Sequence, residues 1–398
     1  MVHLFRRPGR VVAIVMVLTF RCYDDPDPMS ESPAIAAPEP IDMAAPVEAN
    51  RPSPTLAPAI KAEYTRAGVD FRRPMPRPKV RGTVIDFHCH LLAARHAKDW
   101  FESADHYGID AFVSMTPLEE AVVLAREWPG RIAFIAVPQW MDKLPTDQWV
   151  EDFERRIDTF YNLGSRMVKF HMAPSTQEKR GLTLDSPLLK PIFDRVIERK
   201  MAVMTHVGDP DTWYCSKYTD CGRYGTRDAH YDMWRRALDR YGEIPWVGAH
   251  MGGNPENLER LQSLLDTYPN LQLDCSATRW MVREISARRD EAREFFIRNS
   301  GRVIFGSDQV SGDDRHFDFL ACRFWAHRKL WETAHIGPTP IYDPDLPEDK
   351  QPTLRGLALP DEVLQKLYHD NATKFLAKLG VTFEHHSLIG TDSTTTSA

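Results

Sequence analysis

The chain has no basic stripe, no paired CxxC spacing, no short-period repeat and no Gly-rich phosphate loop after its first strand-like run. Each absence excludes a class. Acidic and basic residues are interspersed at a net charge of −6, so the electrostatic footprint of a nucleic-acid binder is missing. Six cysteines (Cys22, Cys89, Cys215, Cys221, Cys275 and Cys322) are scattered through 398 residues, too sparse for a disulfide scaffold or a thiolate zinc site. Cys215 and Cys221 are close enough in sequence for one loop disulfide, with two free thiols as the alternative. The apolar run 11–20 is too short to cross a bilayer as a helix.

That run follows Arg6, Arg7 and Arg10 and has the length of an export-signal core, although Arg21 sits where a cleavage site wants a small residue. Residues 1–23 are therefore expected to direct export to the cell envelope or to attach the chain to a membrane; an unprocessed tether, a misassigned start and a cytoplasmic location are the alternatives. Residues 24–62 shift to Pro, Ala, Ser and Glu, which cannot bury enough apolar surface to fold and read as a linker. A barrel domain is expected over 63–383, followed by a flexible tail, 384–398.

Within the barrel domain, short apolar runs alternate with helical patterns. Strands are expected at 83–88, 109–115, 131–137, 166–171, 202–206, 245–250, 271–276 and 302–308. Helices are expected at 118–128, 148–163, 186–198, 229–241 and 254–267, the last with Asn254 as cap and Pro255 in the first turn. Eight strand–helix units over roughly 300 residues predict an α/β fold, the parallel (β/α)8 TIM barrel, with its active site at the C-terminal strand ends. A doubly wound sheet would want glycines where HCHLLAARH stands.

The strand ends are polar. The first carries His88 and His90, one pleat apart on one face, which makes a chelating pair. The fourth gives Lys169 and His171, the fifth His206, the sixth His250 and the eighth Asp308. One histidine ending an apolar strand is more often structural than a ligand, but five such ends at one barrel mouth are not independent. Neutral imidazoles and a carboxylate can bind a divalent cation and leave a position open for water.

These motifs, VIDFHCH, GSRMVKFH, MTHVG, GAHMGG, LDCSATRWM, FGSD and HDNATKFL, in this order over about 80–379, resemble the amidohydrolase superfamily, in the branch that holds metal-dependent hydrolases, decarboxylases and hydratases. The resemblance implies one divalent metal, zinc or manganese, held by His88, His90, His206 and Asp308, with His250 contacting the water and Asp308 moving its proton. It also implies that a second metal would require Lys169 to be carboxylated, with Lys169 and His171 otherwise beside the site, and that such barrels often pair, here through the insertion at 341–356.

The segment 209–230 is rich in Trp, Tyr and Gly and is expected to wall the mouth. Arg279 and Trp280 suit a small, carboxylate-bearing or planar substrate, unless Arg279 simply opens a solvent-facing helix. The stretch 316–335 reads as an amphipathic helix with its apolar stripe in the core. The expected activity is hydrolysis of a carbon–nitrogen, ester or lactone bond. Non-oxidative decarboxylation on the same scaffold is the alternative, and a metal-binding envelope protein without catalysis is a third reading.

Overall fold

The computed structural model describes residues 66–139 and 143–383. The expected signal segment, the whole of the linker and the tail lie outside them. Eight parallel strands follow one another around a barrel: β1 (Ile85–His90), β2 (Ala111–Ser114), β3 (Ile132–Phe134), β4 (Met167–His171), β5 (Ala202–His206), β6 (Trp246–Gly248), β7 (Leu271–Asp274) and β8 (Val303–Ile304). The ladders run β3-β2-β1 and β4-β5-β6-β7-β8. An isolated parallel bridge between Ala136 and Val168 joins β3 to β4, and Phe87 N donates to Phe305 O at 2.9 Å to join β8 to β1. The ring is thus closed, and the sheet has no free edge.

Six of the eight strands are shorter than the apolar runs that predict them; β5 matches its run, and β1 keeps its length but lies two residues later. The eighth is the clearest case: the ladder stops at Ile304, and a separate short strand, β9 (Gln309–Val310), pairs with β1 further along. Between them Asp308 takes φ +55°, a conformation that cannot stay in a strand. The sixth strand ends at Gly248, and His250 and Met251 lie beyond it at φ +56° and +53°. Backbone geometry thus turns both polar residues out of the ladder and into the mouth.

Helices cover the outside because their sequences carry one apolar stripe. In Thr146–Asn162 the buried residues are Trp149, Val150, Phe153, Ile157 and Phe160, one face at helical spacing. Phe153 meets Phe170 of β4 edge-on at 6.0 Å, and Phe170 stacks on Phe193 of the helix Lys190–Glu198 at 5.1 Å. The helix Phe317–Glu332 buries Phe317, Leu320, Phe324 and Trp331, so the stripe in 316–335 faces the core. The helix expected from Asn254 starts instead at Leu258, where the Asn257 side chain accepts from Arg260 N at 2.9 Å. Asn254 is fully buried in the turn before it.

The barrel layer depends on these aromatic contacts. Phe153→Ala should lower unfolding stability by about 3–5 kcal/mol, the usual cost of emptying a buried aromatic site. A denaturant titration that gave an unchanged midpoint would contradict this packing.

Candidate functional site

The polar strand ends converge on one cavity of about 470 Å³, lined by His88, His90, Lys169, His171, His206, His250, Arg279, Trp280 and Asp308 among others. Every site residue expected from the sequence therefore faces the same space, but they do not form one cluster. His88, His90 and Asp308 bring three donor atoms within 4.8 Å of one another. Asp308 Oδ1 lies 3.1 Å from His90 Nε2 and 3.3 Å from His88 Nε2. His206 is hydrogen-bonded elsewhere: its Nε2 donates to Asp209 Oδ1 at 3.0 Å.

The orientation of His88 is set from behind. Asp274, fully buried at the end of β7, accepts from His88 Nδ1 at 2.8 Å through Oδ2 and from His250 N at 2.9 Å through Oδ1. With its proton on Nδ1, His88 turns the Nε2 lone pair toward the cavity. Despite the nearby carboxylate oxygen, Nε2 is buried without a hydrogen-bond partner. A buried orphan lone pair beside a second imidazole and a carboxylate fits a divalent cation. A second trio, His88, His250 and Asp274, has the same compactness. There, however, the carboxylate is already occupied by His88, His250 N and Ser276, so Asp274 supports the site and does not complete it.

Ser276 settles His250 in the same way. Its hydroxyl donates to Asp274 and therefore accepts from His250 Nδ1, 2.7 Å away. His250 then presents a bare Nε2, and burial holds its pKa well below the ordinary histidine value. It can accept a hydrogen bond but does not offer one. Burial alone would raise the Asp308 carboxyl; the neighbouring His250, His88 and His90 reverse this and hold it well below the carboxylate range. Lys169 is buried, its Nζ lacks a hydrogen-bond partner, and burial lowers its pKa to about 8 against the pull of Asp274 and Asp308. Burial, reinforced by His206, lowers His171 to about 3, and its Nδ1 is paired with Thr176 Oγ1 at 2.8 Å.

Behind Asp308 the turn is pinned. Ser307 Oγ donates to Asp86 Oδ2 at 2.5 Å, and Ser307 N donates to Asp86 Oδ1 at 2.9 Å. Gly306 lies against β1: a Cβ there would come within 2.7 Å of His88 Cβ. FGSD is thus read in three parts: a glycine for close approach, a serine tied to β1, and a carboxylate aimed at the histidines.

Sequence reasoning missed Asp274, Ser276, Asp209 and Tyr218, whose hydroxyl donates to Asp209 Oδ2 at 2.8 Å. Asp274 had a signal, a carboxylate ending the apolar run of the seventh strand. Asp209 and Tyr218 are close to His206 in sequence, three and twelve residues on, but lie in an irregular stretch with no side-chain period to mark them. Arg279 is exposed at the rim and makes no ion pair among the described residues, while Trp280 is buried. Arg315 and Arg323 also line the cavity and flank the Phe319 ring, 5.2 and 3.6 Å from its centre. Cys215 and Cys221 are exposed free thiols.

The sequence from 85 to 378 matches the family model described as Amidohydrolase, and the chain belongs to that family, a metal-dependent class of enzymes. No curated protein sequence matches it. Among solved structures, it is similar to a candidate 2-pyrone-4,6-dicarboxylic acid hydrolase from Pseudomonas putida at 14% identity, covering 77% of this chain and 100% of that one with a TM-score of 0.46. The 4-oxalomesaconate hydratase of Rhodopseudomonas palustris is 13% identical over 75% of this chain and 97% of that one, with a TM-score of 0.43. A 5-carboxyvanillate decarboxylase from Novosphingobium aromaticivorans, complexed with manganese and 4-hydroxy-3-methoxy-5-nitrobenzoic acid, is 13% identical over 77% and 100%, with a TM-score of 0.44. Family membership rests on the sequence match.

Two outcomes follow from this scaffold. Asp274→Asn should weaken metal affinity about 10–100-fold, as expected when the partner that orients a ligating histidine is lost; competition with a chelator measures it. Gly306→Ala should destabilise the fold by about 1–3 kcal/mol through overpacking against His88, seen as a lower thermal midpoint.

Proposed function

We propose that this cavity is the active site of a metal-dependent hydrolase acting on a carbon–nitrogen, ester or lactone bond of a small, carboxylate-bearing substrate. The observation that carries the reading is the orphaned His88 Nε2 facing His90 and the Asp308 carboxylate. His88, His90 and Asp308 would hold one divalent ion, zinc or manganese. His206, whose ring is held by Asp209, would join them from the end of β5. When bound, the ion supplies Lewis acidity that makes water a usable nucleophile near neutral pH.

The chain's own groups do the rest. Asp308 takes the proton from the attacking water and passes it to the leaving group. His250, with a bare Nε2, accepts a hydrogen bond from that water and aligns it; the alternative role, donation to an oxyanion, does not suit a histidine whose proton is held by Ser276. Arg279 at the rim, with Arg315 also on the cavity lining, offers planar donor forks for a substrate carboxylate. Trp280 closes the space beside His250 at 5.4 Å between ring centres and helps to exclude water. Lys169 stands behind the ligands as a buried amine, and a second metal would require its carboxylation.

The test is metal content per chain on protein purified without added metal, paired with Asp308→Asn assayed on lactones, amides and aromatic acids. About one equivalent of metal is expected, retained in the variant while turnover falls about 10²–10⁴-fold, the usual contribution of a positioned acid–base group. Release of carbon dioxide from an aromatic acid would replace hydrolysis with decarboxylation on the same residues. Two equivalents would move Lys169 into a bridging role. Absence of metal, with His88→Ala behaving like the parent, would sink the reading.

A further inference from the structure

Two stretches that take no part in the His–Asp group meet above the cavity. One is the segment after β5, with short helices Asp211–Tyr214 and Cys221–Tyr224; the other is the insertion between β10 (Ile336–Pro338) and β11 (Thr353–Arg355). Their contact centres on a single carboxylate. Trp213 Nε1 donates to Asp345 Oδ2 at 2.6 Å, and Lys217 Nζ donates to Asp345 Oδ1 at 2.9 Å. The same ammonium sits 3.1 Å from the centre of the Trp213 ring. Arg283, buried beneath them, reaches Asp343 Oδ2 at 2.5 Å and Asp345 Oδ2 at 3.5 Å, and donates to Thr212 Oγ1 at 3.2 Å.

What this holds is a wall of the cavity. Trp213 lines it and meets Trp280 edge-on at 5.5 Å, and Trp280 in turn stands against His250. A four-residue helix has no stability of its own, since one turn does not recover the cost of nucleation. Its position depends on the side chains that tie it down. Charge-assisted hydrogen bonds are the strong ones available: Asp345 supplies two, to the Trp213 indole and the Lys217 ammonium, and Arg227 pairs with Asp211 at 2.6 Å at the start of the helix.

We infer that Asp345 is a positioning residue that fastens residues 211–218 across the mouth and so sets access to the cavity. That substrate enters there rests on the function proposed above; the fastening itself does not. Asp345 itself bonds none of His88, His90, His206 or Asp308; the segment it fastens reaches His206 only indirectly, through Tyr218 and Asp209.

The experiment uses the full chain. Four amides report the closed segment: Cys215 N bonds Asp211 O, and the amides of Ser216, Lys217 and Tyr218 bond Trp213 O. In Asp345→Ala these should exchange with deuterium about tenfold faster or more, the factor expected on losing a charge-assisted hydrogen bond, while the barrel strands stay protected. Asp345→Asn, which keeps an acceptor for the indole, and Lys217→Met, which removes only the ammonium, should fall between. Iodide quenching of tryptophan emission should rise in Asp345→Ala, and Trp280→Phe should lower that rise to the part contributed by the released Trp213. Unchanged exchange at the four amides overturns the fastening; faster exchange without added quenching overturns its control of access. Metal content, measured alongside, reports whether the loosened segment disturbs His206 through Tyr218 and Asp209; it decides neither the fastening nor the access. A protein without metal would refute the proposed hydrolase while exchange and quenching still decide the role of Asp345.

Discussion

The buried carboxylate of Asp274 is the constraint on which the site depends. It ends β7 with no exposure to solvent and satisfies His88 Nδ1, the backbone N–H of His250 and the Ser276 hydroxyl at once. Strands one, six and seven are thereby locked in register at their C-terminal ends. An ionised carboxylate can be buried only with such a full set of donors. Burial alone would push its pKa up; the adjoining His88 reverses the direction and holds it far below the ordinary carboxylate value. Removing one donor leaves the others around an unbalanced charge, so the three act as a unit.

Backbone strain gathers in the same place. His250, Met251, Ala277 and Asp308 all take positive φ without being glycine, and they sit at the ends of strands six, seven and eight. Such conformations persist only where surrounding contacts over-determine them. Here those contacts are visible: Asp274 on His250 N, Ser307 on Asp86, and His88 O accepting from Asp308 N at 2.7 Å. The Thr278 hydroxyl adds a further tie, donating to Ser307 O and accepting from His327 Nε2, whose ring is fixed by Trp331. Rigidity behind the cavity contrasts with its front, where short helices depend on side-chain ties to Asp345.

Much of the barrel was legible in the chain. Eight apolar runs mark eight strands because a parallel strand buried on both faces must be apolar nearly throughout. The polar residue at each end stands out against that background, which is why His88, His90, Lys169, His171, His206 and Asp308 could be picked out and all face one cavity. Capping was harder. Asn254-Pro255 and Asn257 both carry helix-start signals, and only the packing of the buried turn that contains Asn254 selects the later one.

By itself, the sequence determined the alternation of strand and helix, the strand ends that would carry chemistry, and the metal-dependent class to which those residue types belong. These are local properties, set by side-chain period and donor type. The tertiary structure decided how the residues divide. It grouped His88 and His90 with Asp308, set Asp209 on His206, gave Asp274 and Ser276 the task of fixing two imidazole tautomers, and brought Asp345 over Trp213 from 132 residues away. Apart from the Asp209–His206 pair, which is three residues apart, each of those depends on hydrogen bonds between segments far apart in the chain, and period and composition carry no information about which distant donor meets which acceptor.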